Sequence, residues 1–247
     1  MSNVQPYFGA FWGVREQTFG QFIEQTREFL QGLRALHPVF DTLYVLGDKA
    51  NAEKPLGSNL EHLEELAFER GWGKKTPKDW FSNLDEHGRP TADSLVDVGW
   101  GFGLVNEPER DRTNDHLHLS LRTGKTSQRL NNSVLLTLHD PESPIIAPDL
   151  SERLFHYLID FCQADRGLLT DESYRDATRD EVTREQLGWL NFRRDPGFAR
   201  FLPANVTRQA YAGGIEFRIG EGRVLNANDK AEVDAGLAIQ AAVRAAH

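Results

Sequence analysis

Apolar side chains recur along this chain with two distinct periods. Phe19, Phe22, Ile23, Thr26, Phe29, Leu30 and Leu33 step by three and four, which puts them on one face of a helix predicted over residues 16–36. Pro38 stops it, because proline lacks the N–H a continuing helix needs. Before it, Tyr7, Phe8, Phe11 and Trp12 form an aromatic run that ends at Gly13 and predicts a strand over 7–13. A short strand is expected at 42–47. Ser58 then stands as the cap of a helix over 59–70, with Glu61 at its third helical position completing a capping box and Leu60, Leu63 and Ala67 facing inward.

Residues 71–94 carry Gly71, Gly73, Pro77, Gly88 and Pro90, which break regular structure, and two Trp that pin the segment as an ordered loop. Strands are predicted at 98–105, 116–122 and 133–139. Pro148–Asp149 opens a helix over 150–163, a strand follows near 166–170, and a Trp-bearing segment lies at 188–192. A β-hairpin is read over 207–219 and 222–226. A last helix, over 229–246, is expected to pack Val233, Leu237, Ala241 and Ala245 inward. Strict βαβ alternation is missing, so the fold class is α+β, an antiparallel or mixed sheet covered by several helices. The length of 247 residues suits one domain or two intimate halves.

Charge narrows the partners. Lys and Arg number 28 against 37 Asp and Glu, a net charge of −9. Phosphate backbones need clustered cations, so nucleic acid is not the expected ligand. The acids are unevenly placed: Glu61, Glu64, Glu65 and Glu69 make one stripe, and the loop 106–115 adds Glu107, Glu109, Asp111 and Asp115. Such patches steer a basic protein partner, and these eight residues are the expected contact surface. Cys162 is the sole cysteine and is read as a core thiol, so no internal disulfide forms. The first residues lack the signature of a secretory leader, and no run reaches the roughly 20 apolar residues of a membrane helix. A cytoplasmic protein away from membranes is expected.

Motifs for chemistry are sparse. Gly124-Lys125-Thr126 has the tail of a phosphate loop but Leu119 where its first Gly belongs, and no helix follows. Gly99, Gly101 and Gly103 lead into a strand, not the helix of a dinucleotide site. His116 and His118 at i, i+2 on a strand share a face and are the strongest catalytic candidates, the basis of an alternative reading as a metal- or His-dependent hydrolase. No companion ligands stand at recognisable spacing, so no catalytic residue, metal or cofactor is assigned. A Trp anchor and an Arg at a helix entrance describe Trp12 and Arg15 as structural.

Several segments together resemble the immunity protein 52 family of bacterial polymorphic toxin systems. The opening matches it through Trp12, Gly13, Arg15, Glu16, Leu30, Leu33, His37 and Pro38. Downstream, 131–138, 154–174, 188–192 and 212–219 resemble its central strand, its helix with the following strand, and its C-terminal end. The chain departs from the pattern at Tyr44, where that family has Trp, and at Gln163-Ala164-Asp165, where it has Trp-Asp-Pro. The resemblance implies a non-enzymatic antitoxin. Its partner would be a cognate secreted nuclease toxin with a restriction-endonuclease-like domain, bound 1:1 so that the nuclease or its access to DNA is blocked. The matching residues read as fold determinants and do not mark the contact surface. A third possibility is an adaptor domain with no toxin partner.

Overall fold

The computed structural model describes all residues except 1–4, 48, 50–51, 109–112, 114, 128–131, 184, 221–223, 226 and 247. In chain order its elements begin with strand β1 (Pro6–Trp12), helix α1 (Phe19–Leu36), strands β2 (Tyr44–Val45) and β3 (Lys54–Pro55), and helices α2 (Leu63–Arg70) and α3 (Trp72–Lys75). Strands β4 (Trp100–Val105), β5 (Leu117–Thr123) and β6 (Asn132–Leu138) follow. Then come α4 (Pro148–Cys162), β7 (Arg166–Asp171), α5 (Glu172–Ala177), β8 (Leu190–Arg193), β9 (Thr207–Tyr211), β10 (Gly214–Arg218) and α6 (Lys230–Arg244). Every strand pair with a defined register is antiparallel. The fold is α+β, as the element order implied. Contacts cluster into two units, residues 12–136 and residues 1–11 with 137–247.

In the unit 12–136 the strands run in the order β3-β2-β4-β5-β6. Tyr44 pairs with Val105, and Trp100 with Thr123. Helix α1 buries the face its periodicity predicted: Phe19, Phe22, Ile23, Thr26, Phe29, Leu30 and Leu33. Phe22 stacks on Trp100 and meets Phe102 edge-on, at 6.3 and 5.8 Å between centroids. The helix starts later than expected. Thr18 is its cap, accepting from Gln21 N while Gln21 Oε1 accepts from Thr18 N, so two orphan donors are satisfied reciprocally. Gln17, just outside, is buried. Its carbonyl accepts from Trp100 Nε1 at 3.0 Å and its amide pairs with Gln25 and Thr123. Trp12 is buried, with the Arg15 guanidinium 5.8 Å from its ring centre.

In the other unit the order is β1-β7-β8-β10-β9. Pro6 pairs with Asp171, Leu169 with Leu190, and Ile215 with both Arg193 and Ala210. Helix α4 buries Ser151, Leu154, Phe155, Leu158, Ile159 and Cys162. It lies close to β7, for a Cβ on Gly167 would sit 2.2 Å from Ile159 Cδ1. The β9–β10 hairpin closes within 207–218 through Ala212 and Gly213, both at positive φ, which matches the right-handed twist of the strands. Helix α6 turns a different face inward from the one predicted. Glu232, Gly236, Ile239, Gln240 and Val243 are buried, while Leu237 is 41% exposed. Gln240 donates to the carbonyls of Thr178 and Glu185. Gly236 allows contact with Tyr174, whose hydroxyl would be 2.7 Å from a Cβ there.

Candidate functional site

The acidic stripe sits beside α2, but not as a single ridge. The helix begins at Leu63 without a side-chain cap, not at residue 59. Leu60, fully buried, takes a left-handed backbone at φ 58° and interrupts any earlier helical turn. Glu61 therefore precedes the helix. Its Oε2 accepts from Asn59 N at 3.0 Å, and backbone N–H groups, its own first and that of Asn59 next, hold its carboxyl below the usual range. Glu64 and Glu65 follow in the first helical turn, where the positive end of the helix dipole favours them. These three glutamates line an open cleft of about 290 Å³ with Phe19, Phe68, Arg89 and Pro90. Glu64 and Glu65 form no ion pair among the described residues.

Glu69 is differently placed. It stands 3.9 Å from both Lys54 and Arg89 and lines a second cleft with Lys49, Lys54, Arg70 and Lys74. The helix therefore parts an acidic cleft from a basic one. Carboxylates over aromatic and proline walls suit a lysine or arginine side chain, whose stem packs while its charged head is bonded.

The second expected patch serves its own loop. Glu107 accepts from Thr113 N and Oγ1 at 2.8 and 2.6 Å. The Asp115 carbonyl accepts from Asn106, whose Oδ1 takes Leu117 N. These bonds brace the entrance to β5. Glu109 and Asp111 lie outside the described residues.

His116 and His118 do not share a strand face. His116 precedes β5 and is buried; His118 is half-buried and alternates with buried Leu117 and Leu119. Burial, and then the proximity of His116, pushes the His118 pKa down. Among the described residues neither belongs to a group of three or more metal-ligating side chains. Gly124 makes a turn at φ 77°, and Lys125 is buried with its N–H on Asn132 Oδ1 at 2.9 Å.

One polar cluster was not anticipated from the sequence. Glu216 on β10 is fully buried, and its Oε2 is 2.6 Å from His156 Nε2 on α4. Its Oε1 accepts from Gln209 at 2.9 Å and from Arg218 at 3.1 Å. Arg218 also reaches Glu152 at 2.9 Å. Tyr211 stacks on the His156 ring at 4.1 Å and donates to Asp160 at 2.7 Å. Burial, and then Asp160, raise the Tyr211 pKa. The signals were present: Glu152 and His156 stand one helical turn apart in a run that faces the core, and Glu216 interrupts an apolar strand.

No family model matches the chain, and no curated protein matches it. Among solved structures the fold is similar to that of a Pseudomonas aeruginosa T6SS protein, PA0821, at 10% identity and a TM-score of 0.53. That likeness covers 98% of this chain and 76% of the other. No helix among the described residues is long and apolar enough to cross a membrane.

Proposed function

We propose that the chain is an immunity protein of a type VI secretion or related polymorphic toxin system. It binds a cognate secreted nuclease toxin 1:1 in the cytoplasm and neutralises it without itself catalysing a reaction. The observation that carries this reading is the cleft formed by Glu61, Glu64 and Glu65. There Glu64 and Glu65 form no ion pair among the described residues, and Phe19, Phe68 and Pro90 give the cleft apolar walls, in a chain of net charge −9. A nuclease presents cationic surface to its phosphate substrate, and a carboxylate-lined cleft competes for that surface. The similarity in fold to a T6SS protein and the resemblance of segments such as residues 7–40 to immunity protein 52 support the same reading. The basic cleft across α2 adds a polarity that fixes how a partner lies, since like charges placed together cost several kcal/mol.

The test is co-expression with the toxin-like product of the adjacent gene. Wild-type protein restores growth and co-purifies with the toxin at 1:1. A chain carrying Glu64→Lys and Glu65→Lys keeps its fold and loses protection. Full protection by that variant would remove the cleft from the interface, and failure of the wild type to bind any neighbouring toxin would remove the immunity function.

A further inference from the structure

We propose that Glu152, His156 and Glu216 bind one divalent transition-metal ion, zinc in preference to magnesium or calcium, and that the ion fastens α4 to the β9–β10 hairpin. Helix α4 sets Glu152 and His156 at i, i+4, hence on one face. Strand β10 brings Glu216 to that face from the core. One ligand atom of each residue lies within 4.8 Å of the other two. Oxygen and nitrogen ligands about 2.0–2.2 Å from a zinc ion fall within such a span.

The surroundings are those of a held ligand set. Glu216 Oε1 is occupied by Gln209 and Arg218, which leaves Oε2 turned to His156 Nε2. Their separation of 2.6 Å is shorter than the usual N–H···O of about 2.9 Å. Two ligands closed on each other in this way need separate by less than about 1 Å to admit an ion. Arg218 bonds one oxygen of each carboxylate, and a carboxylate that binds a metal through a single oxygen needs only its other one. Donors on the non-ligating oxygens are the outer partners that fix ligand orientation in metal sites. The imidazole is fixed as well, by the Tyr211 ring that Asp160 anchors.

The choice of metal follows from the donors. One imidazole and two carboxylates suit zinc and its transition-metal neighbours, whereas magnesium and calcium favour all-oxygen sets. The His156 and Glu152 side chains are 24% and 37% exposed, so solvent can enter and a water can complete a tetrahedral site. Arg218 moderates affinity by placing a positive charge beside the ion.

Untagged protein, stripped with EDTA and dialysed, is titrated with zinc sulfate by calorimetry while melting is followed in parallel. One saturable site per chain is expected, with a zinc-dependent rise in Tm and no comparable response to magnesium. Glu216→Gln, which keeps the side chain's shape, and His156→Gln, which keeps a polar amide in place of the ring, should each weaken binding at least tenfold and abolish the Tm response. Should Glu216→Gln not fold, the half-exposed His156→Gln decides alone. An absence of saturable binding overturns the proposal, as does zinc binding that His156→Gln leaves unchanged. The toxin partner plays no part in this test, so its outcome is separate from that of the immunity function.

Discussion

The carboxylates beside α2 and those around Glu216 are alike in chemistry and opposite in circumstance. Glu216 has no exposed surface, and each of its oxygens is bonded to a side chain that gives up its own hydration to be there. Glu64 and Glu65 stand at the wall of an open cleft without an ion pair among the described residues. The first arrangement costs desolvation and is stable only while complete; the second costs almost nothing and is complete only when something binds. Acidic residues alone therefore do not mark a function. The partner each one has, or lacks, separates groups that hold the fold from groups free to meet another molecule.

The contrast can be broken experimentally. Glu216→Ala leaves Arg218 and His156 facing a void, and should cost on the order of 3 kcal/mol in urea unfolding. A loss below about 0.5 kcal/mol would put Glu216 in the same class as Glu64. Reversing Glu64 and Glu65 to Lys puts two cations at the positive end of α2 and should cost about 1 kcal/mol in unfolding, well below the loss at Glu216. The same change should slow toxin association by about tenfold or more at low salt, and by less at high salt, where screening shortens to a few Å. An on-rate and salt slope equal to wild type would sever the cleft from binding.

A smaller effect separates buried from exposed titration. The folded pKa of His118 is lowered because the neutral ring is buried, so the unfolded chain binds the proton more readily. That contribution to stability is present above the unfolded value of about 6.5 and is lost as pH falls through the folded value. His118→Gln should flatten the decline in stability below about pH 6.5, measured by urea melts across pH. The smallest change concerns the end of the helix that carries Glu152 and His156. Gln163 caps α4 at φ 46°, a left-handed conformation that costs a non-glycine residue strain. Gln163→Gly should raise stability by about 0.5 kcal/mol without altering zinc or toxin binding.

The elements with strong, uniform periodicity were legible from sequence. Helix α1 is an example, for its seven buried positions are all bulky or β-branched. The face of α6 was not, because alanine gives little contrast between inside and outside. The buried positions include Gln240 and Glu232, and Gln240 is satisfied by carbonyls far away in sequence. The start of α2 was misplaced because Ser58 and Glu61 have capping-box spacing, while the left-handed Leu60 between them is a tertiary choice that favours burial over helix. Of the candidate site, the acidic surface beside α2 could be read from charge spacing. Its division into two clefts depends on Lys49, Lys54 and Lys74, which line the basic cleft beside Glu69 from other segments. Glu216 escaped notice because alternation in a strand turns every second residue outward, whereas β10 is buried on both faces.

The first strand of the chain belongs to the unit completed last. Residues 5–11 contribute to the unit that otherwise begins at 137, and Phe11 and Pro6 pair with Arg166 and Asp171 on β7. During synthesis β1 therefore waits for β7, made about 160 residues later, an interval of roughly 8–30 s at ribosomal rates. Through that interval the edge of this aromatic strand that pairs with β7 stays open, while the contiguous unit 12–136 has all its residues at hand. The nascent chain is thus exposed to chaperone capture or mispairing at Tyr7, Phe8 and Phe11.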